Sequence, residues 1–199
     1  MNGATPVFDR EISPPIHPQM TVDPQSEATS LTNEVDLFLD RRMVAIVFVD
    51  IASSTSKLVE MTDRAWCGVL DALEARVQRV VAQLGGTISN RMGDGYLIVF
   101  DGVSRAVRFG QLITSQARDL ELELRVGIHA GEIEQQGHHI AGVAVHTAAR
   151  VQAIADPGEI VVTEPVMSMS FGSGLDFLPR GEQELRGLPG RWRLWTVAG

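Results

Sequence analysis

Cysteine is nearly absent. Cys67 is the only one in 199 residues, so neither an intrachain disulfide nor a cysteine-ligated zinc cluster can form, and a reducing cytoplasm is the expected compartment. Long apolar runs are missing as well. The longest near the N-terminus, VAIVFV (44–49), falls far short of the ~20 residues a bilayer-spanning helix needs and has no secretion-signal flanks, so no membrane partner is expected. Basic charge is in deficit: 17 Lys and Arg face 25 Asp and Glu, a net charge of −8. That balance argues against nucleic acid held on a basic face. Aromatic residues make up only 6%, and the predicted strands carry no aromatic platform of the kind that stacks RNA bases. What is present, 44% hydrophobic and 21% charged residues, is the composition of an ordinary globular protein of one domain and an appendage.

Residues 1–33 are rich in Pro, Ser, Thr and Asp and show no sustained period. Such a stretch buries too little apolar surface to offset its ordering entropy, which predicts a flexible tail over 1–41 and one domain over 42–199. A short lead-in helix fits EVDLFLDRR (34–42). From Met43 the pattern becomes regular. MVAIVFVDI is β-branched and almost continuously apolar, as a strand covered on both faces should be. Val59, Trp66, Leu70, Leu73, Val77, Val80, Val81 and Leu84 follow at helical spacing, predicting one long helix that starts at SSTS (53–56) and ends at Gly85-Gly86. GTISNRM and YLIVF read as two strands joined at Gly93-Asp94-Gly95. A helix over 104–120, a strand over 123–135 and a helix over 142–155 come next. The strand EIVVT, a short helix PVMSMSF and a terminal hairpin from DFLPRGEQELRG and WRLWTV complete the chain. The order βαββαβ followed by αβαββ predicts an α+β domain with a mostly antiparallel sheet covered by helices.

Two acids stand out. FVDIASST (48–55) ends a buried strand with Asp50 and turns into a helix start, where backbone N–H groups after Ile51 are expected to be free for a phosphate. Asp94 sits at a hairpin tip whose glycines permit close approach of a ligand. Gly-Asp-Gly by itself is a common turn, and Asp50 by itself reads equally as a helix cap. If their strands are neighbours, the two acids converge beside a phosphate cradle. Hard divalent cations require such oxygen ligands, with the Ile51 carbonyl as a further one.

The chain here resembles the class III nucleotide cyclase catalytic domain, the adenylyl/guanylyl cyclase homology domain. The resemblance covers about 42–199 through FVDIASST, MGDGYLIVF, LRVGIHAGEIE, GVAVHTAARV and RGEQELRGLPGRWRLW. It implies a ferredoxin-like βαββαβ core and a head-to-tail homodimer with composite sites. The implied reaction converts a nucleoside triphosphate to a 3′,5′-cyclic nucleotide and pyrophosphate. By position it implies Asp50, Asp94 and the Ile51 carbonyl as ligands of two Mg²⁺ or Mn²⁺ ions. Phe48, Ala52, Ser53, Ser54 and Thr55 fall in the phosphate-binding stretch, and Arg125 matches an arginine that reaches the terminal phosphates. Arg150 matches the transition-state arginine supplied by the partner protomer, and His146 stands where many members have Asn. Arg186 or Arg191 matches a C-terminal phosphate-binding lysine.

The departure from that family concerns the base. Adenylyl cyclases of this kind place a lysine and an aspartate where this chain has Asn90 and His139. An Asn amide with an imidazole satisfies uracil, guanine or adenine equally well by donor and acceptor count, so hydrogen bonding alone does not choose. With these two substitutions and no recognisable sensor domain, the chain resembles the stand-alone pyrimidine cyclases of bacterial antiphage systems, which make cUMP or cCMP. An adenylate cyclase with relaxed base recognition and a catalytically silent regulatory module are the competing readings.

Overall fold

The computed structural model describes residues 41–136 and 139–198. Its elements are β1 (Arg41–Ile51), α1 (Ser54–Glu60), α2 (Asp63–Leu84), β2 (Gly86–Met92), β3 (Gly95–Phe100), α3 (Val103–Arg118), β4 (Leu124–Gln136), β5 (His139–Ala141), α4 (Val143–Ala153), β6 (Ile160–Thr163), α5 (Glu164–Met169), β7 (Phe177–Glu184) and β8 (Arg191–Val197). The strands form one sheet in the order β2-β3-β1-β4-β6-β8-β7, with β5 added to β4. Among the described strands only β4 and β6 run parallel; the other pairings are antiparallel. The α+β class and its helix-covered, mostly antiparallel sheet are as the sequence predicts.

Side chains alternate across a strand, and β1 is apolar on both faces. Val47, Val49 and Ile51 join Tyr96, Ile98, Leu73, Val77, Phe109 and Ile113 in a core beneath α2 and α3. Val44, Ile46 and Phe48 join Leu97, Val99, Ala144 and Ala148 beneath α4. Burial on both sides explains the unbroken apolar run in β1.

Four expectations need correction. The single long helix is two, because the chain turns extended at Met61 and restarts with Thr62 as N-cap, its hydroxyl accepting the Ala65 N–H at 3.3 Å. The apolar period misled at Val59, which is 81% exposed on a helix with no buried residue. The tail boundary also moves. Arg41 and Arg42 are strand residues, Arg41 paired with Glu134 at 2.7 Å; the rest of the expected tail and lead-in helix lies outside the described residues. Finally, His139–Ala141 is a short strand against β4 rather than a plain connection.

One buried polar group carries a pH prediction. His129 is 7% exposed, its Nδ1 lies 2.8 Å from Thr163 Oγ1, and its ring meets Trp192 edge-on. Burial lowers its pKa from 6.5 to about 4. Between those values the unfolded chain takes up a proton that folded His129 refuses. Its contribution is therefore complete above the unfolded value and is lost as pH falls toward the folded one, by about 3 kcal/mol. Urea midpoints measured across pH 7 to 4 should fall steeply for the wild type and less steeply for His129→Gln. Parallel slopes would remove His129 as the cause.

Candidate active site

Strand pairing brings the two acids together. β1 pairs with β3 through Val49↔Tyr96, so Asp50 follows directly beside Gly95 at the end of the hairpin. The turn is closed by Met92↔Gly95 and uses Gly93 at φ 61°, leaving Asp94 at the tip. A side chain at Gly95 would place its Cβ 3.0 Å from the Val49 carbonyl and 3.6 Å from Asp50 Oδ1. Glycine is what lets the strand carrying Asp50 lie against the turn carrying Asp94. Burial and the Asp94 charge raise the pKa of Asp50, while Arg125 and hydrogen bonds from the Ile51 N–H and the Gln152 side chain oppose the rise.

Arg125 is opposite Asp50 in the β1–β4 register and on the same face of the sheet. Its Nε is buried without a hydrogen-bond partner. It forms no ion pair with Glu132 or Glu134, and Glu134 is taken by Arg41. An arginine left unsatisfied beside two carboxylates is electrostatically suited to an anionic ligand that also brings cations.

The loop after Ile51 differs in part from expectation. The Ala52 N–H is already donated to the Glu123 carbonyl at 2.8 Å, so it is not free for a phosphate. Phe48 is a core residue, paired on both sides within the sheet and 8% exposed beneath α4, and does not reach the loop. Ser53 adopts a left-handed conformation at φ 57° and caps α1 without a side-chain hydrogen bond, while the Lys57 N–H closes onto its carbonyl. Ser53 and Thr55 are exposed and Ser54 half-buried.

α4 crosses this same face. Ala144, Thr147, Ala148 and Val151 are buried against the sheet, and His146 and Arg150 lie one turn apart on the exposed side. His146 is thus not a core histidine. Arg150 is exposed and forms no ion pair with another described residue. Asn90 and His139, 49 positions apart in sequence, line one cleft of about 330 Å³ together with Ser89, Leu97 and Ile140. Arg186 and Arg191 are elsewhere. Register carries Asp50 to Arg125, Val126 to Ile160, Val161 to Thr196 and Arg191 to Glu184, which puts both arginines at the opposite end of the sheet. Within one chain, therefore, neither reaches the acids, and Arg191 is held by Glu182 at 3.5 Å.

The profile of the family described as "Adenylate and Guanylate cyclase catalytic domain" matches residues 40–199. The chain belongs to that family. A Rhizobium meliloti protein bearing an adenylate cyclase name is 30% identical to the cyclase domain over 166 residues, 78% of this chain and 28% of that protein. The chain therefore spans little more than a quarter of that relative's length. An adenylate/guanylate cyclase/hydrolase structure from Silicibacter pomeroyi superposes with a TM-score of 0.72 at 29% identity, covering 80% of this chain and 98% of the other. The adenylyl cyclase CyaB of P. aeruginosa shares the fold, with a TM-score of 0.74 at 20% identity over 80% of this chain and 95% of the other.

Two participants in the cyclase domain's site escaped the sequence reading. Gln152 reaches Asp50 from α4, and Gly127 of β4 lies directly under the Gln152 backbone. The spacing of Gly127 and Gly131 in VGIHAG was the available signal, because small residues let a helix lie close on a sheet. Among the described residues no three or more His, Cys, Asp or Glu side chains converge. Asp50 and Asp94 repel each other, and a divalent cation with oxygen ligands would relieve that repulsion.

Proposed function

We propose that the chain is a nucleotidyl cyclase that converts a nucleoside triphosphate to a 3′,5′-cyclic nucleotide and pyrophosphate. The observation that carries this reading is the convergence of Asp50 and Asp94 at one end of the sheet, beside the unsatisfied Arg125 Nε. In the reaction the ribose 3′-oxygen bonds to the α-phosphorus, the α–β anhydride bond breaks, and the hydroxyl proton is lost. Asp50, Asp94 and the Ile51 carbonyl would hold two Mg²⁺ or Mn²⁺ ions, which when bound neutralise phosphate charge and acidify the attacking hydroxyl. Arg125 binds the terminal phosphates, together with Ser53, Ser54 and Thr55. Arg150 of a second copy opposes the charge that develops on the phosphoryl oxygens, and His146 lines the same seam. The exposure of Arg150 on the far side of α4 supports a homodimer with composite sites. Any phosphate contact by Arg186 is then also made across that boundary.

The base is a pyrimidine in this proposal, and the product, cUMP or cCMP, is a messenger in antiphage defence made in the cytoplasm. The support is that Asn90 and His139 share one cleft, as a base-reading pair must, and that neither is the residue adenylyl cyclases use. No helix among the described residues is long and apolar enough to cross a membrane. Purified protein given Mn²⁺ and, separately, ATP, GTP, CTP or UTP should yield cUMP or cCMP as the main product by mass spectrometry. Absence of any cyclic nucleotide would leave the silent regulatory module, whereas dominant cAMP would leave a relaxed adenylate cyclase. The double variant Asn90→Lys/His139→Asp should move the ATP-to-UTP rate ratio by tenfold or more toward ATP, about 1.4 kcal/mol of discrimination. An unchanged ratio would remove both residues from base selection.

A further inference from the structure

A larger cavity, about 520 Å³, lies on the other side of the sheet, between α3, β6 and β8. Neither Asp50 nor Asp94 lines it, and it has no part in the chemistry above. Its floor is Pro157, Ile160 and Val197, and α3 contributes Thr114 and Arg118 one turn apart.

Thr114 is 5% exposed, and its Oγ1 is buried with no hydrogen-bond partner. A buried hydroxyl on a helix ordinarily returns to the carbonyl four residues earlier. Thr147 does so onto Val143 at 2.9 Å and Ser170 onto Val166 at 2.8 Å, but Thr114 does not. Arg118 is exposed and joins no ion pair with another described residue, although its neighbour Asp119 is paired with Arg76. The carboxylate in the cavity wall is already satisfied: Glu159 accepts from Arg180 Nε at 2.9 Å, Thr196 Oγ1 at 2.6 Å and the Asp156 N–H at 2.8 Å. The cavity thus has an apolar floor, one cation without an ion-pair partner among the described residues and, enclosed in its wall, one hydroxyl without a hydrogen-bond partner.

We propose that this cavity is an effector site for a small apolar-bodied carboxylate bearing a second hydrogen-bonding group. Arg118 takes the carboxylate and Thr114 the second group, about 5–6 Å away along the helix face. The wall is wired to the acid pair. The Gly158 N–H donates to the Leu124 carbonyl at 2.9 Å, and the Val126 N–H donates to the Glu159 carbonyl at 3.0 Å. Those two bonds bracket Arg125, whose side chain faces Asp50 on the opposite side of the sheet. Occupancy of the cavity fixes residues 157–160 and with them the start of β4. Only the consequence for turnover rests on the cyclase reading.

The probe is 4-hydroxybenzoate, with benzoate as the analogue lacking the second group, titrated by calorimetry into the full chain. We expect saturable binding of 4-hydroxybenzoate, about tenfold weaker binding of benzoate, and at least tenfold weaker binding to Arg118→Gln. Thr114→Val should erase the difference between the two acids. It should also raise the Tm of the ligand-free protein by about 2–4 °C, because an unsatisfied hydroxyl has gone. The bound acid should slow hydrogen exchange at Leu124–Val126 and shift the cyclisation rate several-fold, while both variants keep the basal rate. No saturable binding at about 10 mM, binding that neither variant weakens, or a lower Tm in Thr114→Val overturns the site. Binding without slower exchange at Leu124–Val126 overturns the transmission. A chain that binds the acid but forms no cyclic nucleotide contradicts the cyclase reading and leaves the site standing.

Discussion

Asp50→Ala and Arg150→Ala should each lower the cyclisation rate by about a thousandfold, and an equimolar mixture of the two should recover about a quarter of the wild-type rate. The loss at position 50 follows from its place in the acid pair. In the proposed site, removing one of the two carboxylates would leave too few oxygen ligands to hold both ions beside the phosphates. The loss at position 150 follows from exposure. Arg150 is exposed on α4, and in the proposed reaction it opposes transition-state charge in a site that a second copy completes. Random pairing of the two variants makes half of the dimers mixed. In each mixed dimer one site has lost both groups and the other has lost neither. Subunit mixing is checked by mass spectrometry and activity by product formation. Mixed dimers that remain inactive would contradict composite sites, and a fully active Arg150→Ala would remove its role outright.

Much of this arrangement was readable in the amino acids because it depends on local features. An unbroken β-branched run, a two-residue turn with glycine and a Gly85 cap at φ 67° each announce themselves within a few positions. Asp50 and Asp94 were legible as a pair because both sit next to such features. The misreadings came from effects that a window cannot see. Val59 kept the helical period yet faces solvent, since Thr62 offers the backbone a better start one turn later. The Ala52 amide looked free at a helix start, but Glu123, from a loop far along the chain, supplies its acceptor. Phe48 lies only two residues from Asp50, but alternation and strand pairing on both sides commit it to packing. Arg186 and Asp50 are separated by the path of the sheet through β4, β6, β8 and β7, which no spacing in the sequence encodes. Asn90 and His139 show the converse: a bulge between Ile88 and Asn90 and the short strand β5 bring them to one cleft.

Gly127→Ala should be among the most damaging single substitutions outside the acid pair. A Cβ built at Gly127 falls 2.1 Å from the Gln152 nitrogen and 2.5 Å from its Cα. Both are backbone atoms of a helix that cannot yield as a flexible side chain would. At Gly131 the corresponding Cβ meets Ala144 at 2.7 Å, so α4 rests on two bare glycines and has no slack at either end. Relief requires the C-terminal half of α4 to lift, at a cost of about 3 kcal/mol by the scale of overpacked cores. That half carries Arg150 and Gln152. A shift of about 1 Å in groups that position a reaction lowers rate by about a hundredfold, so turnover should fall even at temperatures where the variant is folded. Gly68→Ala is the control, because Gly68 is exposed within α2 and its added Cβ meets nothing within 4 Å. There the methyl group should stabilise by about 1 kcal/mol through helix propensity and leave the rate alone. Denaturant midpoints and initial rates for the two variants test this directly. Wild-type behaviour of Gly127→Ala in both would mean that α4 does not need contact this close to place Gln152 against Asp50.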